Sequence, residues 1–176
     1  TMFHYYQPTK IHFGAGQLNE LGHVCRGYGK TCFLVTTPDA PLQTLYERVK
    51  KLLDAEGISV IHFDKVEPNP SVEIVEQGFA MLKEQPADFV LAVGGGSSID
   101  TAKAIAFANG KESIDWDHLF NEYSSPFAYY PSYSEKHLPL LSVPTTSGTG
   151  SQVTQAAVIT RGKEKITFFH PDNFSQ

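Results

Sequence analysis

Residues 90–107 read VLAVGGGSSIDTAKAIAF and decide the fold class. A continuous apolar run precedes three glycines and two serines, and a stretch with helical spacing follows at 98–110. A strand that is apolar along its whole length indicates a sheet covered by helices on both faces. The quoted stretch therefore predicts a buried strand, a glycine-rich turn and the start of a helix.

The flanking sequence continues this alternation of strand-like and helix-like segments. Strands are predicted at 31–37, 58–63, 88–93 and 139–143, and helices at 17–24, 42–57, 71–85 and 98–110. Strands and helices in this order predict right-handed crossovers and a parallel sheet. Ser71 is predicted to be the N-cap of its helix.

Three further segments complete the predicted fold. KIHF (10–13) has the pattern of a short strand, and residues 111–139 have that of an irregular surface excursion. Residues 156–160 and 165–170 are predicted to form a hairpin across RGKE. Within the excursion, DWDH (115–118) is interpreted as a capped, solvated turn. The predicted class is α/β, a Rossmann-like doubly wound parallel sheet with an N-terminal strand and a C-terminal β-hairpin, forming one domain over 1–176.

Composition limits the possible partners. The 176 residues are 41% hydrophobic and 19% charged, with a formal net charge of −5. An acidic balance argues against nucleic acid and against an anionic membrane, and no apolar run reaches the roughly 18 residues of a membrane span. The start of the sequence lacks the layout of a signal peptide, and two cysteines without CxxC spacing are typical of free thiols. The expected location is the cytoplasm.

Two polar loops predict a ligand at the carboxyl edge of the sheet. At GGGSS (94–98), unpaired backbone N–H groups and the positive end of the helix dipole favour a phosphate, and glycine lets it approach the backbone. PTTSGTGS (144–151) also follows a strand and offers hydroxyl donors. The alternative is a tight strand-to-helix turn with no ligand.

The two loops together resemble a known family. GGGSSIDTAKAIA (94–106) and PTTSGTGSQVTQAAVIT (144–160), with FGAG (13–16) and VEPNPS (66–71), resemble the N-terminal dinucleotide-binding domain of the iron-containing (group III) alcohol dehydrogenases. The resemblance implies that the cofactor contacts the following residues: Thr37, Asp39, Asn69, Pro70, Gly94, Gly95, Gly96, Ser97, Ser98, Asp100, Lys103, Thr145, Thr146, Thr149, Val158 and Lys165.

The choice between NADP and NAD stays open at this stage. NAD-preferring members of the family carry an aspartate where this sequence has Thr37. A neutral Thr37 would not repel a 2′-phosphate, which slightly favours NADP. Asp39, two residues further on, could still turn toward the ribose and favour NAD.

The resemblance also implies a reaction and a metal. The family transfers a hydride between an alcohol and nicotinamide, and its divalent metal (iron, or zinc) is held by one aspartate and three histidines of a helical domain that has no counterpart in this sequence. The seven histidines here form no HxxxH or HxxH pair. The chain is therefore expected to supply the cofactor-binding half of an enzyme that acts on an alcohol or aldehyde, to form a homodimer, and to be inactive alone. The alternatives are a glycerol dehydrogenase or dehydroquinate synthase-like relative, and a non-catalytic nucleotide-binding or interaction module.

Overall fold

The computed structural model describes residues 7–128 and 137–176. Their main sheet has four parallel strands in the order β2-β1-β3-β4, and a separate antiparallel hairpin pairs β5 with β6. The strands are β1 Thr31–Val35, β2 Ser59–Phe63, β3 Phe89–Gly94, β4 Leu140–Pro144, β5 Ala156–Arg161 and β6 Glu164–Phe169.

Helices cover both faces of the sheet. They are α1 Leu21–Arg26, α2 Gln43–Asp54, α3 Val72–Glu84, α4 Gly96–Ala108 and α5 Trp116–Glu122. Successive side chains of β1 and β3 point to opposite faces. One set packs with α1 and α2, and the other with α3, α4, α5 and the hairpin. The doubly wound α/β fold and the C-terminal hairpin are thus confirmed.

Local capping explains where two helices begin. The Ser71 hydroxyl accepts a hydrogen bond from the Ile74 amide at 3.3 Å, and Asp115 accepts one from the His118 amide at 3.0 Å. Each bond satisfies one of the amides that a helix N-terminus leaves without a partner. The prediction of Ser71 as an N-cap is confirmed, and DWDH is the capped start of α5.

The strand order creates a switch point between β1 and β3 at the carboxyl edge of the sheet. Strand β1 pairs with β2 on one side and with β3 on the other, so that Val35 lies opposite both Phe63 and Ala92. The chain therefore leaves the neighbouring carboxyl ends of β1 and β3 in opposite directions. In open parallel sheets, ligands bind in the crevice at such a switch point.

Two sequence expectations are wrong. Residues 10–13 form no strand; Ile11 and Phe13 are 68% and 95% exposed, and a strand needs a partner for its backbone groups. The region 111–139 is not irregular throughout, because Trp116, Leu119 and Phe120 bury one face of α5. Its part at 129–136 lies outside the described residues. The predicted helix at 17–24 begins as a 3₁₀ turn, and α1 follows it.

Within 7–128 and 137–176, no helix combines the length and the apolar character that crossing a membrane requires.

Candidate cofactor site

The N-terminus of α4 lies at the switch point, directly after β3. Gly95 is the N-cap residue in an extended conformation, and within the described residues no side chain caps the helix. The first amides of a helix have no intrahelical partner, and they carry the positive end of the helix dipole. The helix thus presents uncapped N–H groups at the edge where a ligand is expected, which suits an anionic group such as a phosphate.

The glycines bring the two predicted loops into contact. Gly94 has a φ of 149°, and a Cβ at this residue would lie 2.5 Å from the Ser98 Oγ. A Cβ on Gly95 would lie 3.1 Å from the Thr146 Oγ1, and the Thr145 amide donates to the Gly94 carbonyl at 2.9 Å. A side chain at Gly95 or Gly96 would therefore press against Thr146 or Thr149 of the second loop, whereas one at Gly94 would collide with Ser98 in its own loop.

The Ser98 side chain lies next to the first turn of α4 but does not cap it. The residue is fully buried, and its Oγ has no hydrogen-bond partner in the part of the chain that the structure describes. The uncapped amides, the close approach allowed by glycine and this buried hydroxyl together fit a phosphate-bearing ligand at the turn.

A cavity of 450 Å³ adjoins the start of α4. Its wall includes these residues from the predicted set: Asn69, Pro70, Gly96, Ser97, Asp100, Thr149, Val158 and Lys165. Ser151, Thr154, Ala156 and Thr160, which the sequence did not single out, complete it. The volume lies within the range of about 300–1,000 Å³ that is common for small-molecule sites. Four separate segments of the chain therefore converge on one concave surface.

The segment before α3 is held against the hairpin. Asn69 has a φ of 55°, a left-handed conformation that asparagine tolerates better than most residues. The turn places the Pro70 carbonyl where the Thr160 amide donates to it at 2.8 Å. This bond fixes one wall of the cavity to β5.

Asp100 and Lys103 bind protein atoms. Asp100 accepts hydrogen bonds from the Ser151 hydroxyl at 2.5 Å and from the Val158 amide at 3.2 Å, and burial raises the pKa of its carboxyl group. The Lys103 side chain has no exposed surface, and burial lowers its pKa to about 8. Asp100 reaches the cavity wall, whereas Lys103 is not among the residues that line it.

Thr37 and Asp39 lie just beyond the carboxyl end of β1. The Thr37 hydroxyl donates to the Asp39 carboxylate at 2.9 Å and lies 2.8 Å from the hydroxyl of Tyr46, which is completely buried. Because a hydroxyl has one proton to donate, the Tyr46 hydroxyl is the donor in the second bond. These hydrogen bonds place the Asp39 carboxylate at the switch point. The site is therefore acidic there, although Thr37 alone suggested a neutral site.

Sequence reasoning missed a second cluster, formed by His137, His170 and Asp172. The His137 Nδ1 and the Asp172 Oδ2 are 2.5 Å apart, and the Asp172 amide donates to the His170 Nδ1 at 3.0 Å. Both rings pack against Phe107, near the end of α4. His170 and Asp172 are two residues apart, but His137 is too distant in sequence for any spacing rule to include it.

These features define an α/β protein with a glycine-rich strand-to-helix turn and a second polar loop beside a cavity. A model of the family described as iron-containing alcohol dehydrogenase matches residues 8–176. The chain belongs to the iron-containing alcohol dehydrogenase family, as its sequence motifs suggested.

Individual relatives agree with this assignment. The chain is 37% identical over 172 residues to a probable NADH-dependent butanol dehydrogenase 2 of Bacillus subtilis, covering 97% of this chain and 42% of the relative. A solved structure of NADH-dependent butanol dehydrogenase A from Thermotoga maritima superimposes with a TM-score of 0.85 at 30% identity, over 99% of this chain and 42% of that one. The structure of a sulfoacetaldehyde reductase from Bifidobacterium kashiwanohense, solved in complex with NAD+, superimposes with a TM-score of 0.79 at 27% identity, over 100% of this chain and 45% of that one. The chain thus spans less than half the length of these relatives.

The iron in the family's description does not fit the histidine cluster as a catalytic metal. His137, His170 and Asp172 could together hold a metal ion, but they already bind one another through hydrogen bonds. They lie beside Phe107, roughly 16 Å along α4 from Gly96 at 1.5 Å per residue. None of the three residues lines the cavity.

Proposed function

We propose that this chain is a dinucleotide-binding domain, and that it supplies the cofactor-binding half of a metal-dependent alcohol dehydrogenase. The uncapped N-terminus of α4, in contact with the 144–151 loop at the switch point of the sheet, carries this proposal. Gly94, Gly95, Gly96 and Ser97 would hold the pyrophosphate through backbone amides. The cavity beyond them would receive the nicotinamide half, against Val158 and Lys165.

Electrostatics favour NAD over NADP as the cofactor. A 2′-phosphate at the end of β1 would face the Asp39 carboxylate, whereas a 2′-hydroxyl could donate a hydrogen bond to it. This reverses the slight preference for NADP that Thr37 alone suggested. Relatives named as NADH-dependent and a related structure solved with NAD+ support the same choice.

The reaction proposed for the whole enzyme is hydride transfer between an alcohol and an aldehyde or ketone. The metal, iron in the family's description, would supply Lewis acidity toward the substrate oxygen. This chain's residues would bind the dinucleotide and orient its nicotinamide ring. The family assignment favours this activity over a non-catalytic module and over a glycerol dehydrogenase or dehydroquinate synthase-like relative.

Location and assembly are also proposals. Cys25 and Cys32 are free and buried, as is usual in a reducing compartment, so we assign the protein to the cytoplasm. We further propose a homodimer, because Ile11 and Phe13 are 68% and 95% exposed and would gain from burial against a second copy. Light scattering that finds only monomers across the micromolar range would contradict the dimer.

Calorimetric titration of the chain with NADH tests the proposed site. Gly95→Asp would place a side chain against Thr146 and a negative charge beside the phosphates, so it should abolish binding. Ser59→Asp adds the same charge at the exposed start of β2, on the opposite edge of the sheet, and should bind NADH normally. Equal binding by both variants, or no binding by the wild-type chain, would contradict the proposal.

A further inference from the structure

Lys103 is the most completely enclosed charged side chain at the candidate site. Its ammonium group lies 2.6 Å from the Ser151 carbonyl and 2.7 Å from the Ala156 carbonyl. The hydroxyl oxygens of Ser151 and Thr154 follow at 3.2 and 3.3 Å. Its three protons are thus engaged by oxygens of one short segment, which leaves none for a ligand.

Asp100 binds the same segment one helical turn earlier. It accepts hydrogen bonds from the Ser151 hydroxyl and the Val158 amide, and it lies 4.0 Å from the Lys103 ammonium group. The two side chains therefore hold residues 151–158 at both ends. Ser151, Thr154, Ala156 and Val158, which belong to this segment, also form part of the cavity wall.

We propose that Lys103 and Asp100 are positioning residues that dock segment 151–158 onto α4 and so preform the part of the cavity that receives the nicotinamide half. This inference rests on the proposed function, and it replaces the expectation that Lys103 itself contacts the cofactor. The pair acts through segment 151–158. Without these hydrogen bonds, the segment would have to be ordered each time a nucleotide binds, and this ordering would weaken binding.

The charge of Lys103 makes its role visible in a pH profile. Asp100 is the charged group that faces it from α4, and the turn at 151–153 and β5 present neutral oxygens. Burial lowers the pKa of Lys103 to about 8, so the side chain loses its proton as the pH rises through that value. The neutral amine has one donor fewer, and nucleotide binding should weaken over the same interval.

The test compares NADH with ADP as ligands of the Lys103→Met chain. ADP carries the pyrophosphate that the 94–98 turn would hold but lacks the nicotinamide half. The variant should raise the Kd for NADH about tenfold, the expected effect of losing a charged hydrogen-bond donor, and leave the Kd for ADP within about twofold. The rise in Kd between pH 7 and 9 should occur in the wild type and vanish in the variant. Lys83→Met, at an exposed lysine, is the matched control.

Each other outcome overturns the inference in a recognisable way. An equal loss of NADH and ADP affinity would make Lys103 a direct phosphate ligand. Unchanged affinities, or an unchanged pH profile, would make it a core residue without influence on the site. A wild-type chain that binds neither nucleotide would instead refute the proposed function.

A second variant keeps the test available if Lys103→Met does not fold. Ser151→Ala removes the hydroxyl shared by Asp100 and Lys103 and keeps the backbone carbonyl. It should raise the Kd for NADH about tenfold and leave the Kd for ADP unchanged, because both lost hydrogen bonds involve a charged group, the Asp100 carboxylate or the Lys103 ammonium group. Ser142→Ala, in β4, removes a single hydroxyl contact with Ser175 and should change the Kd of neither ligand. Equal behaviour of these two serine variants would also refute the inference.

Discussion

The Thr37 hydroxyl donates a hydrogen bond of 2.9 Å to the carboxylate of Asp39, and Tyr46 supports this bond from the core. The neutral Thr37 therefore orients the acidic Asp39 just beyond the carboxyl end of β1. The relationship bears directly on which dinucleotide the protein selects.

Asp39→Asn should reduce the preference for NADH over NADPH. A hydrogen bond to a charged acceptor contributes about 1.5–3 kcal/mol, so the ratio of the two dissociation constants should shift by about tenfold or more. Isothermal titration with both nucleotides measures the ratio. Asp54→Asn, at the end of α2, serves as the control. Tighter binding of NADPH than of NADH by the wild type would contradict the assignment of Asp39.

Gly94→Ala should destabilise the fold. The substitution would force alanine into a φ of 149° and place its Cβ 2.5 Å from the Ser98 Oγ, which together should cost about 2–4 kcal/mol. Gly57→Ala is the matched control, because Gly57 has a φ of 73° with open space around it and should lose only about 1 kcal/mol. Urea unfolding of both variants provides the comparison. Equal losses would show that crowding against Ser98 contributes nothing.

The stability of the protein should fall as the pH drops from about 6.5 toward 4, partly through His170. Burial lowers the pKa of His170 to about 4, so between these values the unfolded chain binds a proton that the folded chain does not. One such group can contribute a slope of up to about 1.4 kcal/mol per pH unit. His170→Asn keeps an acceptor near the Asp172 amide and should flatten the curve. Parallel wild-type and variant curves would contradict the assignment.

The chain should bind dinucleotide but not oxidise alcohols. With ferrous iron, NAD and butanol it should give no NADH absorbance above a blank without protein, because the one group of three possible metal ligands found within the described residues does not line the cavity. Sustained turnover that a chelator abolishes would show that this chain holds a working metal site.

Local sequence patterns predicted the framework of the site. The apolar runs of β1 and β3, the glycines at the end of β3 and the cap at Ser71 are each found where they were expected, because each depends only on residues close to it in sequence. The strand expected at 10–13 failed because a strand depends on a partner that the local pattern does not contain. The contacts between these elements required the structure.

Side-chain placement was the least predictable feature. Lys103 lies on a helix with an apolar and small-residue surround, but only the fold brings the carbonyls of Ser151 and Ala156 to its ammonium group. His137 and Asp172 meet for the same reason. Spacing rules work within one element, whereas these contacts join segments that are 35 to 53 residues apart.

The proposed function depends above all on binding of a dinucleotide's pyrophosphate at the N-terminus of α4. The most direct measurement is an NMR titration of the isotope-labelled chain with NADH, following the backbone amides. We expect the largest shifts at residues 95–98, with accompanying shifts across 145–151. Saturating NADH that leaves these amides unmoved, or that shifts mainly the residues around Phe107 and His170, would contradict it.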